Sequence, residues 1–282
     1  MSVNNQAVKI NSSEKKQYGR RRFNARYEVR TQLRLRDNLE KGFFRELRSI
    51  FNANAARIGN ELSSGLQFNE DINNQRLGRE LAESIDRNIR KVFEVFILYN
   101  IRTYDQSQKD LDFTTFGTAV TFERLYKEYF RDRVITFETL TRNQSRAIVR
   151  LIKRLREKEN LSLPEIGKKI TQQIRNFSIA RAARIARTET HSAASHASHF
   201  YNKQVSEQLD QKLVKRWVSV SDGRTRDSHA RANGQVRQMD EDFSINGTLM
   251  QYPGDPKGGP RNVINCRCVL VYVDEQDLDL ID

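Results

Sequence analysis

With 282 residues, 37% of them apolar, the chain is long enough for one large domain or two modest ones, each with its own core. A formal charge of +13 and a pI near 9.9 point to a polyanionic partner. Nucleic acid ranks ahead of membrane, and no membrane partner is expected, because the longest apolar run, VFEVFILY, is broken by Glu94 and falls far short of the roughly 20 residues of a span. The N-terminal stretch MSVNNQAVKINSSEKK has no apolar signal core, which implies cytoplasmic synthesis, and two cysteines make no disulfide framework.

Lys15 to Arg36 is strongly basic, with Glu28 as its single acid. Arg22, Arg26, Arg30 and Arg34 recur every four residues, which on a helix stacks guanidiniums along one face with no carboxylate at i+4. Together with Arg20 and Arg21 they are the candidate DNA-binding residues, through phosphate contacts; the alternative is a solvated basic tail. From Asp37 the period is helical. Leu39, Phe43, Leu47, Ile50, Ile58 and Leu62 form one stripe, with Asp37 and Glu40 as its expected cap. Leu77, Leu81, Ile85, Ile89, Val92 and Phe96 form a second stripe, and the short polar linker around LQFNEDINNQ predicts an antiparallel pair. Gln106 to Thr121 is expected as a loop, followed by a short aromatic-rich helix over VTFERLYKEYF.

A second helical group is predicted from Thr141. Thr141 with Gln144, and Ser162 with Glu165, have the spacing of capping boxes, and Pro164 suits a first helical turn. Arg142, Arg146, Arg150, Lys153, Arg154 and Arg156 make the outer surfaces here basic. A further helix, FSIARAARIARTETHSAASHASHFY, is rich in small residues, and Ala180, Ala183, Ala186, Ala193 and Ala197 are its expected packing surfaces. Arg187, Thr188 and Glu189 are expected to hold a structural ion pair. His196 and His199 share a face at i,i+3 but do not form the HExxH pattern, so ordinary polar positions are the preferred reading over metal ligands.

The chemistry concentrates between Trp217 and Val273, which holds the single Trp, three of the four Pro, six of the thirteen Gly and both Cys. Val214 to Val220 alternates as a strand, Asp222-Gly223 turns, a short helix or loop carries His229, and Asn233-Gly234 closes it. Phe243 to Tyr252 predicts strand around an Asn246-Gly247 turn, PGDPKGGP a non-helical loop, and Ile264 to Val273 a buried strand; the acidic tail DEQDLDLID is expected to fray. A module of roughly 60 residues is small for a self-sufficient core and invites a staple. Strand alternation would put Cys266 and Cys268 on one face, where with His229 and Asp222 they offer a zinc site, or remain two buried thiols. Asp222, Arg224, Arg226 and Asn265 are the candidate structural centre, and the competing catalytic reading is a DNA-processing nuclease centred on Asp222 and His229.

The strand ending in Trp217, the Asp222-Gly223-Arg224-Thr225-Arg226 turn with His229 and Gly234, the loop from Pro253 to Pro256, and Asn265-Cys266-Arg267-Cys268 together resemble the phage Mu F-like head morphogenesis family, minor capsid proteins of tailed phages. ARIARTET, Ala183 to Thr190, resembles the helix that precedes that domain. The resemblance implies a virion component at the capsid interior or portal vertex, present in host cytoplasm during assembly. Its implied partners are the portal protein, the major capsid or scaffold protein, and double-stranded DNA. It identifies no catalytic residues, and none is assigned; some relatives carry toxin domains beyond the module, and none is expected after Val273. The predicted class is α+β, organised as a basic arm (1–36), a helical region (37–135), a helical neck (136–212) and a compact module (213–282).

Overall fold

The computed structural model describes residues 24–105, 119–131, 133, 137–208 and 212–280. Its α+β architecture has five long helices followed by a small module of short antiparallel strands. Arg20, Arg21 and Arg22 lie outside the described residues, as does most of the expected loop from Gln106 to Thr121.

Helix α1 (Ala25–Ser63) starts twelve residues before Asp37, so residues 25–36 of the expected arm are its first turns. Its cap is Asn24, whose side chain accepts from the Tyr27 backbone N–H at 3.0 Å. Asp37 sits inside the helix and pairs with Lys41 instead, at 2.6 Å. After Ser64-Gly65, Asn69 caps α2 (Glu70–Asp105). Arg57 to Glu80 at 2.8 Å and Asn88 to Glu46 at 2.7 Å set the two helices antiparallel, as the linker predicted. Every residue of the second stripe is buried; in the first, Leu39 and Ile50 are half-buried. Helix α3 (Ala119–Arg131) places Phe122, Tyr126 and Tyr129 edge-on around Phe93 of α2, so its aromatics are core.

Helix α4 (Phe137–Lys158) begins before Thr141, so the first expected capping box is absent: Thr141 is buried in the helix and Gln144 donates to Ser178 Oγ. The second box forms. Glu165 accepts from the Ser162 backbone N–H at 2.8 Å and from its hydroxyl at 2.6 Å, opening α5 (Leu163–Gln208). Two predicted helices prove to be this one, 46 residues and about 69 Å long. It runs antiparallel to α1 from the Gly59–Gly167 crossing to the Arg36–Ser195 contact. A Cβ on Gly167 would lie 2.4 Å from Ser63 N, so the two backbones touch there. Thr188 to His199 is buried on every side, by α1, α2, α3 and the module, which explains why this polar stretch shows no stripe. Of the alanines expected to pack, Ala186, Ala193 and Ala197 do, while Ala180 is exposed.

The module contains β1 (Leu213–Val218), α6 (Asp227–Ala232), β2 (Val236–Gln238), β3 (Phe243–Ile245), β4 (Thr248–Met250), α7 (Gly259–Val263) and β5 (Val269–Asp274). One antiparallel sheet has the order β2-β1-β5, and β3-β4 is a hairpin whose Asn246 and Gly247 both take positive φ, as a tight primed turn requires. PGDPKGGP is not wholly non-helical: Pro256–Gly258 forms a 3-10 turn and α7 starts at Gly259, with Pro260 in its first turn, where a missing N–H is harmless. Nor does strand begin at Ile264; Asn265 has φ 59, and pairing starts only at Val269. The tail does not fray up to Leu280. Glu275–Leu280 is a 3-10 helix, with the Glu275 N–H donating to Lys212 O at 2.8 Å.

Both sheet faces are covered. Trp217 points to the hairpin and to Cys266 and Cys268, whereas Val214, Val271 and Val273 pack under Ala25 and Val29 of α1. The first turns of α1 are thus part of the module's core. Lys215, also inward, is fully buried, and its Nζ donates to Met239 O and Gln251 O, each at 3.1 Å. Burial pushes its pKa down to about 8.

Candidate functional site

Two connected arrangements occupy the face where α5 meets the module. The first is built on the ARTET stretch. Arg187 pairs with Glu40 of α1 at 2.9 Å; the Thr188 hydroxyl accepts from the Asn265 N–H at 3.0 Å; Glu189 is buried with Arg133 at 3.2 Å and accepts from the Tyr129 hydroxyl at 2.9 Å. Burial raises the Glu189 pKa against those partners. Ser192 Oγ donates to Gly254 O. Gly254, at φ +89, is the residue that lets the PGDP loop touch the helix, since a Cβ there would lie 2.9 Å from Ser192 Cα. His196 bridges Tyr252 of the same loop, at 2.8 Å, and Leu125 O, at 3.1 Å; His199 packs on Tyr252 and Phe200. Burial depresses the His199 pKa well below its ordinary value. These histidines are docking residues.

Arg36 joins this junction from α1. Fully buried, it donates to Ser195 Oγ at 3.1 Å and to His191 O and Cys268 O, each at 3.4 Å, and lies over Phe96. No carboxylate pairs with it among the described residues, and burial lowers its pKa to about 10. One turn earlier, Gln32 donates to Leu270 O at 2.9 Å. Sequence reasoning missed Gln32, Arg36, Glu40 and Ser192. Their signal was present only as polar residues at positions that continue the apolar face of a helix.

The second arrangement is the cluster of His229, Cys266 and Cys268. His229 sits on α6, which Arg226 precedes; Arg226 donates to Ile264 O and so ties α6 to the turn carrying the cysteines. That turn, with Asn265 in the left-handed region, converges both thiols on one ring nitrogen: His229 Nδ1 lies 3.4 Å from Cys268 Sγ and 3.6 Å from Cys266 Sγ. Turn geometry, not strand alternation, brings them together. The Cys268 thiol and then the His229 ring beside it pull the Cys266 pKa well below the usual thiol range, while Cys266 and burial raise that of Cys268. The Trp217 ring meets His229 edge-on at 5.7 Å.

Asp222 stands outside this group. Its carboxylate takes Arg267 at 2.6 Å and the Arg224 N–H at 3.1 Å, closing the Asp222–Thr225 turn; Arg267 holds its pKa at about 2. It is therefore not the fourth member of the Cys/His set, and no carboxylate joins His229 in the metal-type cluster among the described residues. Arg224 is exposed, with its side chain 3.5 Å from Asp222. On α1, Arg26, Arg30 and Arg34 are all exposed along one row, and no ion pair among the described residues engages them. No helix among the described residues is long and apolar enough to cross a membrane.

Residues 158–271, which span α5 and the module to β5, match the family model described as Phage Mu protein F like protein. The chain is 34% identical over 98 residues to the minor head protein GP7 of Bacillus phage SPP1, an alignment covering 34% of this chain and 31% of that protein. It is also 30% identical over 115 residues to the NAD(+)--arginine ADP-ribosyltransferase EFV of Enterococcus faecalis (strain ATCC 700802 / V583), covering 41% of this chain and 23% of that protein. The chain thus spans less than a third of the length of the curated relatives it matches. No solved structure matches it.

Proposed function

We propose that the chain, whose residues 158–271 match the model of the phage Mu protein F-like family, is a minor head protein of a tailed phage, a virion component that binds the portal protein during head assembly. The similarity to a minor head protein supports this reading, together with the family match over residues 158–271, which spans α5 and the module whose docking residues have just been described. Major capsid or scaffold protein is a further partner, and the host cytoplasm is where the chain meets them.

Double-stranded DNA is the second proposed ligand, bound during packaging or delivery. Arg26, Arg30 and Arg34 lie one turn apart on α1, and Arg146, Arg150 and Arg154 make a second exposed row on α4. Unpaired guanidiniums at this spacing suit a phosphate backbone and confer no sequence preference.

Co-purification with the portal and capsid proteins of the same phage tests the assembly role. A stable portal complex that survives nuclease treatment is expected; failure to bind either protein, with cleavage of DNA by the isolated chain that is lost in His229→Ala, would replace this reading with the nuclease. Replacing Arg26, Arg30 and Arg34 together by Ala should flatten the slope of log affinity for DNA against log salt by up to about 3. An unchanged slope removes this row from the DNA interface.

A further inference from the structure

The geometry of His229, Cys266 and Cys268 matches a metal site in a way that packing alone does not require. Tetrahedral zinc with Zn–S near 2.3 Å and Zn–N near 2.0–2.1 Å separates a sulfur ligand from a nitrogen ligand by about 3.6 Å. The two observed separations are 3.4 and 3.6 Å. All three candidate ligand atoms lie within 4.8 Å of one another, and all three residues are buried. Hydrogen-bonded thiols around an imidazole would satisfy only one ring nitrogen once. Here one Nδ1 faces two sulfurs, and Nε2 is buried with no partner among the described residues.

Three further observations bear on the same point. A disulfide is an unsuitable alternative for residues two apart in the chain. The buried Arg36 guanidinium donates to Cys268 O and so fixes the turn that carries the thiols. A cavity of about 20 Å³, room for one water, opens on the three residues and is lined also by Arg224, Arg226 and Asn265.

We infer that His229 Nδ1, Cys266 Sγ and Cys268 Sγ bind one zinc ion whose fourth ligand is a water molecule in this cavity. Binding releases the thiol protons to solvent; neutral imidazole and two thiolates then balance the ion's charge. The ion ties α6 to the turn before β5, residues 37 and 39 positions apart, and so closes the loop that holds β2 and the hairpin. It acts as a structural staple of the module. The inference does not depend on the head-assembly reading.

The test uses the full chain, purified without chelators or a histidine tag, analysed for metal by mass spectrometry and then titrated with Co(II) after zinc removal. About one zinc per chain is expected. Bound Co(II) should show the intense visible bands of a tetrahedral site together with sulfur-to-cobalt charge transfer. Cys266→Ser and Cys268→Ser should each lose most of the charge-transfer intensity, and His229→Cys should keep the metal and raise it. If the serine variants fail to fold, the wild-type cobalt spectrum still decides. A folded wild-type chain that retains no zinc through gel filtration and gives only the pale spectrum of hydrated cobalt overturns the inference. So does zinc bound equally well by folded serine variants.

Discussion

Replacing Gly254 by Ala should cost the module far more than the same change at Gly247, although both residues have similar positive φ, +89 and +78. At Gly247 a new Cβ meets nothing within 4 Å, so only the left-handed backbone of an L-residue is paid for, about 1–2 kcal/mol. At Gly254 the Cβ would lie 2.8 Å from Ser192 Oγ and 2.9 Å from Ser192 Cα. The second atom is helix backbone, fixed by the packing of α5 on all sides. Moving the loop away adds about 1–3 kcal/mol of overpacking and about 1 kcal/mol for the lost Ser192 to Gly254 O hydrogen bond. The expected totals are about 3–6 kcal/mol against 1–2, a large fraction of a typical domain's stability. Trp217, the single tryptophan and fully buried in the module, reports this unfolding by fluorescence, while circular dichroism follows the helices in the same urea titration. Equal losses for the two variants would refute the argument that the PGDP loop is held by backbone contact with α5.

Three other outcomes are expected. Gly167→Ala should destabilise by about 1–3 kcal/mol because its Cβ meets Ser63 N at 2.4 Å, whereas Gly42→Ala, with open space around it, should stabilise by about 0.5–1 kcal/mol; thermal melts check both signs. Lys215 has its pKa lowered from 10.5 to about 8, so between those values the unfolded chain holds a proton that the native chain has released, and stability should rise with pH across that window. Lys215→Met should lack that rise, and parallel urea midpoints from pH 7 to 10.5 would show that the ammonium is not penalised. Ser162→Ala, which removes one of the two donors to Glu165, should cost about 1 kcal/mol by urea unfolding, with no change in the Trp217 signal's own midpoint if the effect stays in the α5 N-terminus.

What was legible in the sequence depended on whether a residue's partner was near in the chain. The stripes of α1 and α2, the Ser162–Glu165 box and the Asn246-Gly247 turn are local patterns, and all formed. Helix α5 was read as two because a helix buried on every side among small and polar groups has no amphipathic period to follow past Phe177. The Asp37 cap failed because the arginine row hid the other face of the same helix, where Ala25, Val29, Gln32 and Arg36 meet strands more than 180 residues away. For the cysteines, alternation predicted a shared face for the wrong reason: left-handed Asn265 makes a turn that aims both at His229, and Arg267 takes Asp222 away from them.

The clamp between α1 and the last strand has a consequence for how the chain is made. Gln32 and Leu270, bonded to each other, are separated by 238 positions. At the roughly 5–20 residues per second of synthesis, the first helix waits about 10–50 s for its last partner to be translated. Until then Arg36 and the groove around it stay hydrated, and the module lacks one wall of its core. The contact between α1 and β5 therefore waits until β5 has been made, and a ribosome stalled before β5 would leave a chain whose α1 lacks the strands it is shaped to cover.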